Sequence, residues 1–146
     1  MPLPNIIELK DKLKWAYIAG IIDGEGTFKI SKDARYGREI YYALSLTISN
    51  TNDALMEWLS SHLGGSVYTK ARKNLSHKPH KEWYAPKGSI ETIIRGVYSF
   101  LVIKKKHAQV AMTYLSCKDT MGGETFYLQM RELNKKGTNY DSEGSG

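Results

Sequence analysis

Two acidic residues, Asp23 and Glu25, lie in segment 18–26, which reads IAGIIDGEG. Carboxylate oxygens are ligands that hard divalent cations such as Mg²⁺ prefer. A metal ion held in this way can activate water and offset charge on a leaving oxygen, which is the chemistry of phosphodiester hydrolysis. Residues two apart on a helix point to different sides, so the two acids cannot easily share this role, and one of them must be structural.

Small residues accompany these acids. Ala16, Ala19 and Gly20 lack the bulk that usually keeps helix axes about 8–10 Å apart, and Gly24 follows them. Two such helices can pair tightly, and Glu25 of each would then lie near its symmetry mate, where a cation between the two carboxylates stabilises them. The sequence holds one copy of this segment, so the second helix must come from another chain.

Composition predicts one globular domain over residues 1–136, followed by a disordered tail over 137–146. The chain has 146 residues, of which 41% are hydrophobic and 25% charged. The single cysteine, Cys117, excludes an internal disulfide framework and a Cys-based zinc site, and we expect it to be buried. No run of about 18 apolar residues and no signal-peptide pattern is found. We therefore expect an intracellular protein with no membrane partner, in an organelle, nucleus or bacterial or archaeal cytoplasm.

Positive charge is concentrated in two stretches, 27–50 and 66–88, which together carry +7 in a chain whose net charge is +6. Lys104, Lys105 and Lys106 add a third basic segment. A basic face with a neutral or acidic back is typical of polyanion-binding proteins.

Hydrophobic periodicity predicts an α+β fold with helix, hairpin, helix, hairpin, helix order. The first helix is apolar on all sides, which predicts complete burial, and Gly24 and Gly26 are expected to end it. The predicted elements are a helix over 13–23, strands over 28–31 and 39–50 joined by a turn at 34–38, a helix over 55–63, strands over 66–72 and 82–85, and helices over 89–100, 105–116 and 125–135. This order implies an antiparallel curved sheet with helices packed on one face and a polar opposite face.

Segment 18–26 resembles the motif of the LAGLIDADG homing endonuclease family. Seven of the nine positions carry the family's residue or a conservative replacement, and the departures are Gly24 for another small residue and Glu25 for the usual final Asp. The element order and the lysines after the second hairpin extend the resemblance over residues 10–116. It implies a site-specific, intron-encoded DNA endonuclease of the single-motif, homodimeric type, cutting a long pseudo-palindromic duplex with Mg²⁺ or another divalent cation such as Mn²⁺, without an organic cofactor.

The resemblance also implies roles for individual residues. Glu25 becomes the metal-binding acid and the carbonyl of Gly24 a second ligand, which leaves Asp23 to hydrogen bonds at the helix interface. Asn50 matches the position of a polar residue that places the attacking water, and Lys104 matches a lysine that stabilises developing charge at the phosphate. The predicted dimer interface consists of Ala16, Ala19, Gly20 and Asp23.

The polar side of the predicted strands, with the turn that joins the first two, is the predicted DNA-binding surface. Its members are Lys29, Ser31, Arg35, Arg38, Tyr41, Thr47, Tyr68, Lys70 and Arg72.

The same fold is also compatible with proteins that do not cleave DNA. A non-cleaving DNA-binding protein or an RNA maturase would have no need of an acid beside the phosphates it approaches, which argues against both. A sheet that stacks single-stranded RNA on Tyr36, Tyr41 and Tyr68 is a further alternative.

His77 and His80 lack acidic or Cys partners at ligand spacing, so a zinc site is not predicted, and the three tryptophans at 15, 58 and 83 are predicted core residues.

Overall fold

A computed structural model describes residues 6–34, 39–70 and 79–144, with side chains described from residue 10 to residue 135 of these ranges. The described part contains five α-helices and four strands. In chain order they are α1 (Ile6–Glu25), β1 (Gly26–Asp33), β2 (Tyr41–Asn50), α2 (Asp53–Leu63), β3 (Ser66–Lys70), β4 (His80–Tyr84), α3 (Ile90–Val97), α4 (Lys105–Met121) and α5 (Glu124–Gly144). The predicted order of helices and hairpins is confirmed.

The four strands form one antiparallel sheet in the order β1-β2-β4-β3. Alternation along the strands sends one set of side chains to the helices and the other set to the opposite face. Phe28, Leu46 and Ile48 are fully buried on the helix side, with Trp83 of β4 beside them. The α+β class with helices on one face is therefore confirmed. No helix in the described ranges is long and apolar enough to cross a membrane.

The helix α1 buries one side of its surface and leaves the other uncovered. Ile18, Ala19 and Ile22 are fully buried, and the Trp15 ring lies against Gly96 of α3 so closely that a Cβ there would approach it to 2.3 Å. Within this chain the prediction of burial on all sides is therefore wrong, because only the face toward the sheet and α3 finds a partner.

The outer side of β1 is held by α5. The Asn134 amide donates to the carbonyl oxygen of Phe28 at 2.9 Å. The Lys32 amine binds the Glu124 carboxylate at 2.8 Å, and the Tyr42 hydroxyl donates to the same carboxylate. Lys32, which contributes to the basic stretch in the sequence, is thus neutralised on the helix side of the sheet.

Several element boundaries differ from the sequence prediction. The helix α1 begins at Ile6 and ends at Glu25, so Gly24 lies inside it, and α4 continues to Met121. The backbone of α5 continues to Gly144, and the disorder predicted for residues 137–146 stays a prediction. Residues 35–38 of the predicted turn and 71–72 of the predicted third strand lie outside the described residues.

Gly26 permits α1 to pass directly into β1 without a connecting loop. A Cβ at this position would lie 2.8 Å from both the Cα and the carbonyl oxygen of Ile22 in the last turn of α1. These neighbours are backbone atoms, so they cannot move aside without shifting the helix or the strand.

We predict that Gly26→Ala lowers the free energy of unfolding by about 1–3 kcal/mol, because the added methyl forces the strand away from the helix. Urea titration followed by circular dichroism measures the change. Gly88→Ala is the matched control, since a Cβ there meets no atom within 4 Å, and a change within about 0.5 kcal/mol is expected. Equal stability of the two variants would contradict the tight packing at Gly26.

Candidate functional site

The carboxyl end of α1 presents Glu25 at the molecular surface. Both Gly24 and Glu25 are exposed, and a Cβ at Gly24 would meet no atom within 4 Å. Within the described part of the chain, the Glu25 carboxylate has no hydrogen-bond or ion-pair partner. A charged group at the end of a rigid helix, with open space beside it, is available to a ligand from outside the chain.

The neighbouring acid, Asp23, is fully engaged by the chain itself. Its Oδ2 accepts the backbone N–H of Val102 at 2.9 Å. Its Oδ1 accepts the backbone N–H groups of Ile103 and Lys104 at 3.0 and 2.9 Å. These donors are the three residues that immediately precede α4, which begins at Lys105. Asp23 therefore fixes the segment that leads into α4 from a different helix.

These hydrogen bonds bear on the role predicted for Asp23. The resemblance assigned its hydrogen bonds to an interface between two copies of α1, but all three run within the chain. Their consequence is that Lys104, the residue before α4, is held beside the motif that carries Glu25. The predicted acid and the predicted lysine thus share one end of α1.

His107 lies one turn into α4 behind Lys104. It is buried, and its Nδ1 has no partner among the described residues. Burial, followed by the positive charge of Lys104, lowers the pKa of His107 below its usual value, while a hydrogen bond with the backbone of Leu133 acts in the other direction. The ring is consequently neutral at neutral pH and adds no second positive charge beneath Lys104.

Asn50 lies at the same end of the sheet. It is the last residue of β2, two positions beyond Ile48, which pairs with Gly26 at the start of β1. Its Oδ1 accepts the backbone N–H of Asn52 at 2.9 Å, in the turn before α2. The side-chain oxygen is therefore used locally, and the amide N–H₂ is the part of Asn50 that remains to contact water or a ligand.

The predicted DNA-binding residues that the structure describes share one face of the sheet. The β1–β2 register pairs Thr47 with Thr27 and Lys29 with Ser45, all on the side opposite the core. On β3, Tyr68 and Lys70 alternate with Val67 and Thr69. Val67 pairs with the buried Trp83, so Val67 and Thr69 lie on the helix side of the sheet and Tyr68 and Lys70 on the opposite face. The described members are Lys29, Ser31, Tyr41, Thr47, Tyr68 and Lys70. Arg35, Tyr36, Arg38 and Arg72, with His77, lie outside the described residues.

An apolar stripe runs along the uncovered side of α1. Leu13 is 61% exposed, and Tyr17, Gly20 and Gly24 follow it at helical spacing. Val102 is 81% exposed beside the carboxyl end of the helix. The stripe is defined as Leu13, Tyr17, Gly20, Gly24, Val102 and Ile103. Sequence inspection missed Leu13 and Tyr17, because a helix that is apolar all round gives no sign of which side its own chain covers. It missed Val102 and Ile103 because their position beside α1 depends on the tertiary contact with Asp23.

Two of the predicted interface residues point the other way. Ala19 is fully buried in the core and Asp23 binds the backbone before α4, so neither belongs to the stripe. Residues 19 and 20 are adjacent on a helix and differ by about 100° in direction, which separates the buried Ala19 from the exposed Gly20. Ala16 is half-buried at the border of the stripe.

The donor set at the end of α1 suits a hard divalent cation but is incomplete in one chain. Glu25 offers a carboxylate and Gly24 a backbone carbonyl, both oxygen ligands of the kind Mg²⁺ and Ca²⁺ prefer. The described residues contain no group of three or more His, Cys, Asp or Glu side chains able to hold a metal ion. The remaining ligands would have to come from water, a phosphate or a second chain.

These features define an α+β protein with a polar sheet face and an acid–lysine site at the edge of that face. The sequence model of the LAGLIDADG endonuclease family matches residues 18–114. The chain therefore belongs to this family, whose members are DNA endonucleases, and the resemblance seen in segment 18–26 is confirmed. No curated protein sequence matches the chain.

Solved structures share the fold. The homing endonuclease I-CvuI, in complex with the I-CreI target in the presence of Mg, matches with a TM-score of 0.64 and 18% identity over 87% of this chain and 81% of its own. The archaeal intron-encoded I-Vdi141I in complex with DNA matches with a TM-score of 0.65 and 19% identity over 86% and 84%. The meganuclease I-SmaMI bound to uncleavable DNA matches with a TM-score of 0.63 and 21% identity over 82% of this chain but 42% of its own.

We predict that Asp23→Asn lowers the free energy of unfolding by about 1–3 kcal/mol and slows DNA cleavage. The amide keeps one acceptor oxygen but turns an N–H₂ group toward N–H donors, so Lys104 loses its position. Chemical unfolding and single-turnover cleavage measure the two effects. Asp119→Asn, at an exposed site near the end of α4, is the control and should change neither.

A double-mutant cycle separates positioning from general destabilisation. If Asp23 acts on catalysis through Lys104, then Asp23→Asn should cost little further cleavage rate once Lys104→Met is present. Full additivity of the two losses would contradict the positioning role.

Proposed function

We propose that this protein is a site-specific endonuclease that acts as a homodimer on a long pseudo-palindromic DNA duplex, with Glu25 of each copy at a divalent-metal site. One observation carries the proposal: the Glu25 carboxylate, which has no partner among the described residues, and Lys104, whose backbone N–H is held by Asp23, lie at the same end of α1, beside the apolar stripe. A metal-binding acid and a cation near the phosphate both favour the cleavage of a phosphodiester.

The stripe supports a second copy of the chain as its occupant. Leu13 and Tyr17 supply apolar surface that is favourable to remove from water. Gly20 and Gly24 have open space above them, so a facing helix can approach closely. An isologous contact through this stripe would bring the two Glu25 residues together on the twofold axis, where each would lie near one strand of the duplex.

The comparisons support the same arrangement. I-CvuI and I-Vdi141I match this chain over more than four-fifths of their length, whereas I-SmaMI is matched over 42% of its length. One copy of the motif supplies one acid, and cutting both strands of a duplex requires two. A second copy of the chain supplies the other.

In the proposed metal site, Glu25 and the Gly24 carbonyl hold Mg²⁺ or another divalent cation, such as Mn²⁺, together with DNA phosphates and water. The cation would activate the attacking water and offset charge on the leaving oxygen. Lys104 would lie near the reacting phosphate, and its charge would stabilise the negative charge that develops there. The Asn50 amide would help to orient the attacking water.

The polar sheet face would lie in the DNA groove. Antiparallel strands can present side chains to base edges in the major groove, and lysines and arginines along them contact phosphates and guanines. We propose that Arg35, Arg38 and Arg72 extend this surface. The helix-side lysines do not, since Lys32 is paired with Glu124 and Lys81 with Asp53.

We predict that Glu25→Gln abolishes metal-dependent double-strand cleavage while DNA affinity changes less than about tenfold, because the variant keeps its size and loses the charge that holds the cation. Cutting is measured on a plasmid library with randomised long duplex inserts, and affinity on a duplex recovered from that library. Glu57→Gln, at an exposed position of α2, is the matched control and should cut normally. Strong residual cleavage by Glu25→Gln would remove Glu25 from the metal site, and a wild-type protein that binds without cutting would favour a non-cleaving role.

We predict that Gly20→Leu shifts the protein from dimer to monomer and abolishes double-strand breaks, because a bulky side chain in the stripe separates the two helices. The monomer should remain folded, since the side chain points into open space. Sedimentation equilibrium at micromolar concentration measures the mass. Gly88→Leu adds the same bulk away from the stripe and should stay dimeric. A wild-type monomer that makes double-strand breaks at stoichiometric levels would refute the proposed interface.

A further inference from the structure

An acidic side chain, Glu82, lies in the middle of the polar sheet face. In the register of β4 it pairs with Ser49 on one side and Tyr68 on the other, so it is surrounded by residues of the proposed DNA-binding surface. Its side chain is only 14% exposed. A carboxylate repels phosphates, so Glu82 cannot serve the backbone contacts that a basic face makes.

The Glu82 carboxylate is held in place by two donors. The Lys70 amine lies 2.6 Å from Oε2, and the Tyr84 hydroxyl donates to the same oxygen at 3.1 Å. The Tyr68 ring packs edge-on against the Tyr84 ring at 5.4 Å between centroids. The carboxylate therefore has a defined direction before any ligand arrives, and its other oxygen, Oε1, can accept a further hydrogen bond.

Glu82 is ionised at neutral pH. Burial alone would raise the pKa of this carboxyl, but the hydrogen bonds from Lys70 and Tyr84, with the charge of Lys70, outweigh burial and hold the pKa below its usual value. An ionised carboxylate accepts hydrogen bonds and donates none. In the major groove it can therefore bind the amino group of cytosine or adenine, whereas it repels the carbonyl oxygens of guanine and thymine.

Lys70 has the complementary preference. Its ammonium only donates, so it binds the O6 and N7 acceptors of guanine or the O4 acceptor of thymine. Within each base pair the amino group of one base lies next to the carbonyl oxygen of the other, to which it is hydrogen-bonded. The ion pair of Lys70 and Glu82 therefore presents a donor beside an acceptor. This arrangement is complementary to the carbonyl oxygen and the amino group that lie side by side in one base pair.

We propose that Lys70 and Glu82 together read one base pair in each half-site, with an amino base facing Glu82 and a keto base facing Lys70. A C·G base pair suits Lys70 and Glu82 best, because guanine offers two acceptors to Lys70 and thymine only one. The inference rests on the proposed function, since it requires that the sheet face lies in the major groove.

Selection from a DNA library tests the proposal. The probe is a pool of long duplexes in which each half-site position is randomised, bound in buffer without divalent cations so that no DNA is cut. The wild-type protein is expected to enrich one C·G pair per half-site about tenfold over the reversed pair, which corresponds to about 1.4 kcal/mol. Glu82→Gln should lose that preference at this position alone. The amide of Gln can also donate hydrogen bonds, so it can bind the carbonyl oxygen of guanine or thymine as well as an amino group.

Two further variants make the outcome decisive. Lys70→Met should relax the same base pair, and it stands in for Glu82→Gln if thermal unfolding shows that the latter does not fold. Glu91→Gln removes a matched ion pair with Arg95 on α3, away from the sheet face, and should leave the profile unchanged.

Unchanged base preference in both sheet variants, or equal weakening at every position, would overturn the proposal and leave the ion pair a structural role. A wild-type protein that enriches no duplex at all would overturn the proposed function instead, so the two failures are distinguishable.

Discussion

The three hydrogen bonds from residues 102–104 to the Asp23 carboxylate join the two parts of the site. They satisfy the N–H groups of the three residues that precede α4, and a negative charge near a helix N-terminus is further stabilised by the helix dipole. They also hold Lys104 at the end of α1 that carries Glu25, although the two residues are far apart in sequence. The two acids of the motif differ, because Asp23 turns inward and organises the chain, whereas Glu25 remains exposed.

The direction of Glu25 depends on the core as well. The chain passes from α1 to β1 without a loop, and the backbone of Ile22 lies so close to Gly26 that the junction has no room for a side chain there. One face of α1 packs into the core through Ile18 and Ile22, and the opposite face carries the apolar stripe and is exposed. The candidate metal site therefore lies at the boundary between the chain's own core and the surface proposed for a second copy.

The pleat of the sheet separates charges that are mixed in the sequence. On the helix side, Lys32 and Lys81 pair with Glu124 and Asp53, so these cations serve the fold. On the opposite face Lys29 stays exposed, and Lys70 meets the single acid of the second basic stretch. Net charge alone indicates a polyanion as partner, whereas the pairing shows which lysines are available to it.

Local pattern in the sequence determined the helices and strands and the polar face of each strand, because periods of 3.6 and 2 residues reflect local backbone geometry. The resemblance to the family motif, not periodicity, selected Glu25 as the predicted metal-binding acid. Packing decided the rest. The small residues of α1 could not be sorted by pattern, yet Ala19 lies in the core and Gly20 on the surface. The hydrogen-bond partners of Asp23 are some 80 residues away in the sequence. Glu82 is one acid in a basic stretch, and its contact with Lys70 depends on the pairing of β3 with β4. Contacts between distant segments depend on how elements dock, and hydrophobic periodicity carries no information about docking.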